Sequence, residues 1–205
     1  MQATEIYLVR HGQTESNQAG KIQGQSNSPL SPLGIQQSKA LAQRLKGIKF
    51  SSFISSPLER ALETSRHLGN EINMAPEADR NFQEISFGEV EGLTWPEVEI
   101  LHPELCKQWK YHVLDKSLPG GESRQDLVSR VMPALQKLVK THPGQKILVV
   151  THGGLLAAIF GEVLGIPSGT RPQCAIDNTS INILRFKNNK WKIKTWGDTA
   201  HLENL

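Results

Sequence analysis

The chain has almost no cysteine. Cys106 and Cys174 are the only two among 205 residues, far apart and in no C-x-x-C pair. That excludes a disulfide scaffold and a thiolate metal knuckle, and both thiols read as reduced packing residues. Long apolar runs are missing as well. No stretch reaches membrane-spanning length, and the segment Met1 to Val9 lacks the basic start and apolar middle of a secretion signal. The expectation is a cytoplasmic protein with no membrane partner. Charge of one sign is not in excess either: 23 Lys and Arg stand against 20 Asp and Glu, a net of +3 with no basic run. Nucleic acid is therefore not expected as a partner. Outside two motifs described below, the histidines (His67, His102, His112, His142 and His201) are scattered and form no metal constellation. Repeats and low-complexity tracts are absent.

What is present is an ordinary globular composition, 38% hydrophobic and 21% charged. A chain of this length can bury its own core, so residues 1–205 are read as one domain. Ile6-Tyr7-Leu8-Val9, Phe53-Ile54-Ser55 and Lys146-Ile147-Leu148-Val149-Val150 read as short buried strands. Ser31-Pro32 and Ser56-Pro57 each read as a helix cap followed by proline. Thr94 and Glu97 form a capping box around Pro96. Leu127, Val131, Leu135 and Leu138 mark a helix from about Ser123 to Lys140, with Pro133 expected to bend it or mark its true start. Ser180 to Phe186 and Trp191 to Trp196 flank Lys187-Asn188-Asn189-Lys190 as a hairpin. Alternating strands and helices predict an α/β three-layer sandwich: a largely parallel central sheet with helices on both faces. The weakly patterned stretch of about 85–123 reads as a small insertion that roofs the site.

Such folds gather function at the carboxyl ends of their strands. Arg10-His11-Gly12 follows the first strand, Arg60 lies one turn past the second, and Thr151-His152-Gly153-Gly154 follows the strongest. Two arginines and two histidines are thus predicted to converge on one sheet edge. Arginine forks onto phosphate oxygens and keeps its charge. Neighbouring cations disfavour imidazolium, so His11 is expected neutral and nucleophilic. Gly12, Gly153 and Gly154 would let the backbone approach a ligand.

These residues carry a resemblance. Arg10-His11-Gly12-Gln13-Thr14-Glu15-Ser16-Asn17 resembles the R-H-G-x-T-x-x-N signature of the histidine phosphatase superfamily, the phosphoglycerate mutase-like enzymes. Ser55-Ser56-Pro57-Leu58-Glu59-Arg60-Ala61 is similar to its S-S-P-x-x-R-A element, and the segment Gln83 to Gly92 to its E-x-x-F-G-x-W-E-G element. Pro119-Gly120-Gly121-Glu122-Ser123, Val150-Thr151-His152-Gly153-Gly154 and Asp198-Thr199-Ala200-His201-Leu202 resemble further elements, in order along nearly the whole chain. Asn27 and Val90 depart from the pattern, where aspartate and tryptophan are common.

The resemblance implies roles. His11 would take the phosphoryl group; Arg10, Arg60 and His152 would hold its oxygens, and Asn17 would add a hydrogen bond. Glu84 would protonate the leaving alcohol and then activate water. Gln23 and Gly24 would line the pocket beside Gly153. No metal and no cofactor are implied. His201 reads equally as a pocket or a tail residue, and Glu122 as a pocket residue or part of a helix cap. The chain is compact and has Phe82-Gln83-Glu84-Ile85-Ser86-Phe87-Gly88 where glycolytic mutases have a Glu-Arg-His-Tyr-Gly element. The expected activity is therefore hydrolysis of a small phosphomonoester through a phosphohistidine. Candidate substrates are phosphoserine, a sugar phosphate or α-ribazole phosphate. The alternatives are mutase-type phosphoryl transfer and a regulatory protein that binds phosphate esters without turnover. Substrate choice is expected in the roof, at Trp95, His102, Trp109, Lys110 and His112, with packing the favoured role for Trp95 and Trp109. The C-terminal hairpin offers an edge that could pair in a homodimer.

Overall fold

A computed structural model describes residues 2–104, 106, 117–167, 170, 173–203 and 205. Trp109, Lys110 and His112 lie outside the described residues. Among the described residues six strands form one sheet: β1 (Thr4–Arg10), β2 (Ser52–Ser55), β3 (Glu77–Ala78), β4 (Lys146–Thr151), β5 (Ile181–Lys187) and β6 (Lys190–Asp198). Their order is β3-β2-β4-β1-β5-β6. The first four run parallel, while β5 is antiparallel to β1 and β6 antiparallel to β5. The sheet is thus largely parallel with an antiparallel hairpin at one edge. Asn188 and Asn189 both take positive φ in its two-residue turn, the conformation whose twist matches the flanking strands.

The strands bury both faces, which is why they read as continuous apolar runs. Ile6, Leu8, Ile147 and Val149 pack on one face beneath helices α5 (Arg124–Thr141) and α6 (Gly153–Leu164). Tyr7, Val9, Leu148 and Val150 pack on the other beneath α2 (Pro32–Leu45) and α3 (Glu59–Ile72), while the one-turn α1 (Glu15–Gln18) lies in the loop after β1. The expected layering is present. No helix among the described residues is long and apolar enough to cross a membrane.

One of the two roles expected of Pro133 is set aside and one cap is corrected. Pro133 lies inside α5, so it does not mark the start of that helix. Leu127, Val131 and Leu135 are all buried on that helix, and their packing outweighs the lost backbone bond, worth about 3 kcal/mol. Ser56 does not cap a helix: α3 begins at Glu59, with Leu58 in the cap position and no side-chain cap bond. The Ser56 hydroxyl accepts from Leu58 N–H at 3.3 Å and meets His152 Nε2 at 2.7 Å. Thr94 and Glu97 do form their capping box, ahead of α4 (Trp95–Leu101). Ile22, Val90 and Val98 form a small separate core there, joined to the loop after β1 by the Ile22 N–H bond to Leu93 O at 2.8 Å. Val90 serves this packing, so its departure from tryptophan changes the small core and not the cavity wall.

Candidate active site

Strands β1 and β4 pair in register, with Arg10 opposite Thr151. The residues that follow, His11 and His152, therefore emerge side by side, their ring centroids 5.1 Å apart. β2 pairs with β4 on the far side, and the chain rises from it into the first turn of α3, which carries Arg60. The sheet register alone thus assembles the predicted cluster.

His11 is 3% exposed, and its two ring nitrogens are separately engaged. Nδ1 lies 2.7 Å from the Gly12 carbonyl. A carbonyl only accepts, so the proton sits on Nδ1 and Nε2 keeps its lone pair. Arg60 Nε–H donates to that Nε2 at 3.2 Å. Burial first, then the Arg60 and Arg10 charges, holds the His11 imidazolium well below its ordinary range. Neutral His11 was expected from neighbouring cations; desolvation is the larger cause.

Arg60 is 1% exposed. Its Nη1 donates to Ser26 O at 2.8 Å and its Nη2 to Gly24 O at 2.6 Å. Burial lowers its pKa to about 10, against the raising effect of Glu84 and Glu91, so it stays a cation at neutral pH. Arg10 Nη1 donates to Ile176 O at 2.7 Å, while its Nε is buried without a partner. His152 is fully buried. Its Nε2 lies 2.7 Å from Ser56 Oγ, and its Nδ1 has no partner. Burial and the Arg60 charge also hold it well below the ordinary imidazolium range.

Glu84 lies at the start of α6. Its Oε2 accepts from Gly154 N–H at 2.9 Å, and its Oε1 from Leu155 N–H at 3.0 Å and Ile85 N–H at 2.9 Å. It occupies the anion-binding end of that helix. A Cβ at residue 154 would stand 2.6 Å from Oε1, so glycine there makes room for the carboxylate and not for a ligand. Gly12 is corrected likewise: a Cβ would meet Gly34 O at 2.5 Å, a close approach to α2.

Arg10, His11, Asn17, Gln23, Gly24, Arg60, Glu84 and Gly153 all line one cavity of about 1170 Å³. His152 is not among the lining residues, but its ring stands 5.1 Å from that of His11. Asn17 Oδ1 accepts from Thr14 N–H at 3.2 Å, which leaves its amide NH₂ as the end able to meet a ligand. Trp95 is 45% exposed and lines the cavity. His201 is not a wall residue. Its Nε2 lies 3.1 Å from Thr179 Oγ1, and the Thr179 N–H bonds Arg10 O at 3.1 Å. Thr179 holds φ at +59°, a strained setting for a β-branched residue, beneath the nucleophile's backbone.

Sequence reasoning missed a supporting layer. Glu91 accepts from Gln25 N–H at 3.0 Å and Ser26 N–H at 2.9 Å, and so fixes the loop whose carbonyls hold Arg60. Arg130 on α5 donates to Asn81 O, Gln83 O and Glu84 O, and pairs with Glu122 at 3.0 Å. Glu122 in turn accepts from Ser86 N–H at 2.9 Å. Glu122 therefore neither lines the cavity nor caps α5, whose cap is Ser123; it anchors the segment that carries Glu84. The eight-residue spacing of Glu122 and Arg130 was the one available hint.

A sheet edge with a neutral buried histidine among arginines defines a phosphoryl-handling class of protein. The chain belongs to the histidine phosphatase superfamily (branch 1), whose sequence profile matches residues 6–199. It is 38% identical to phosphoglycerate mutase-like protein 4 of Arabidopsis thaliana, over 97% of this chain and 87% of that protein. It is 36% identical to a metal-independent phosphoserine phosphatase of the same plant, over 100% and 85%. Among solved structures, it resembles a mycobacterial glucosyl-3-phosphoglycerate phosphatase complexed with VO3. The TM-score is 0.87 at 30% identity, covering 95% of this chain and 99% of that one.

Proposed function

We propose that the protein hydrolyses a small phosphomonoester, without a metal, through a phosphohistidine at His11. The observation that carries this reading is the Nδ1 bond to Gly12 O, which leaves Nε2 unprotonated, its lone pair accepting from Arg60 Nε–H at 3.2 Å until that N–H turns to a phosphoryl oxygen of the bound ester. In the first step Nε2 attacks phosphorus and the bond to the ester oxygen breaks. Glu84 acts as the general acid that delivers a proton to the departing alcohol. In the second step water attacks the phosphohistidine, Glu84 takes the water proton, and inorganic phosphate leaves with His11 restored.

Arg60 Nε, Arg10 Nε and the Asn17 amide stabilise the phosphoryl oxygens. The partnerless Nδ1 of His152 donates to a phosphoryl oxygen once that group sits on the adjacent His11. The compact chain and the absence of the mutase-type element around Glu84 favour water as the final acceptor. The test is phosphate release from a panel of phosphomonoesters in EDTA, wild type beside His11→Ala. Turnover by the wild type alone supports the reading. Release by neither protein, or equal release by both, overturns it.

A further inference from the structure

Arg124 opens helix α5 and is 6% exposed, yet its Nη1 finds no hydrogen-bond partner among the described residues. Two local effects oppose a cation there. Burial without a partner removes its hydration, and the first turn of a helix presents the positive end of the backbone dipole. Arg124 nevertheless lines the same cavity as His11. Ile85, Leu127, Ala157 and Ala158 supply apolar parts of the same wall. Lys21 adds a second, exposed cation to the wall, and Glu99 an exposed carboxylate.

We propose that Arg124 is a specificity residue which binds a carboxylate on the substrate, distinct from the phosphate bound by Arg10 and Arg60. The substrate class is then a phosphomonoester of a hydroxy acid. This deepens the phosphatase reading and rests on it. One guanidinium suits a monoanion, and the α5 N-terminus gives little further help: the Asp126 N–H is taken by Ser123 Oγ at 3.1 Å, and Ser123 N–H by Asp126 Oδ2 at 2.9 Å. A second phosphate would call for more positive charge than this.

The test compares matched substrates: phosphoserine with O-phosphoethanolamine, and 3-phosphoglycerate with glycerol 3-phosphate. The wild type should favour the carboxylated member of each pair. Arg124→Met should lower kcat/KM about thirtyfold on the carboxylated esters and change the others by less than about threefold. Its melting temperature should hold or rise, because an unpartnered buried charge has gone. A purely structural Arg124 would instead give a lower melting temperature and equal losses on both members. Arg124→Gln serves should the methionine variant not fold. Binding of the same pairs to His11→Ala, with and without Arg124→Met, is followed by calorimetry. That readout separates the two readings: if the wild type turns nothing over, hydrolysis falls while binding still judges Arg124. No preference for the carboxylated esters in either assay, or a preference that survives Arg124→Met, overturns the proposal.

Discussion

Arg60 Nε stands 3.2 Å from His11 Nε2, and its other two nitrogens are held by Gly24 O and Ser26 O. One planar fork therefore spans the nucleophile and the loop beside it. Lysine has a single ammonium and lacks that geometry. Arg60→Lys should reduce kcat about a hundredfold or more, measured by steady-state phosphate release. A loss below about tenfold would show that charge alone suffices.

Glu91 acts one step further back. By fixing Gln25 and Ser26 it holds the carbonyls that aim Arg60. Glu91→Gln keeps the shape but turns part of the acceptor set into a donor. We predict a stability loss of about 1–3 kcal/mol in urea titrations. We also predict a fall in kcat of about tenfold with KM changed less, since positioning rather than binding is impaired.

Glu84 gives a prediction that depends on the leaving group. Glutamine supplies no acidic proton, so alkyl phosphates should slow about a hundredfold in Glu84→Gln. 4-Nitrophenyl phosphate, whose leaving group departs unprotonated, should slow less than about tenfold in the cleavage step. Single-turnover kinetics isolate that step. Equal slowing of both substrates would remove Glu84 from the acid role.

The buried imidazoles set a pH dependence of stability. His11 and His152 both resist protonation in the folded protein, first through burial and then through Arg60. The unfolded chain takes up protons on these rings below the ordinary value of 6.5. Stability is thus full above that pH and falls below it, by up to about 1.4 kcal/mol per pH unit for each ring. His67 and His201 shift in the same direction and add to the slope. Urea midpoints should fall steadily from pH 6.5 down to about 5.5, above the range where carboxylates titrate. His11→Asn should show a shallower fall.

Much of the fold was legible because its signals are local. The strand runs, the Thr94–Glu97 box and the Asn188-Asn189 turn each depend on neighbours in sequence. The meeting of His11 and His152 was also legible, because in-register parallel strands deliver their next residues to one place. The supporting layer was not. Ser56 meets His152, Glu91 meets Gln25 and Arg130 meets Gln83 only once segments distant in sequence have packed together. Arg124 looked like an ordinary helix-start residue, since burial without a partner is visible only in three dimensions.

The central claim is a covalent phosphohistidine between two displacements at phosphorus. The most direct test is the stereochemical course, using an ester whose phosphate oxygens are made chiral by isotopic labelling with transfer to an alcohol acceptor, or a chirally labelled thiophosphate ester with transfer to isotopically labelled water. Two successive in-line displacements predict net retention. Inversion would mean that the acceptor attacks the substrate directly, and would contradict the role assigned to His11.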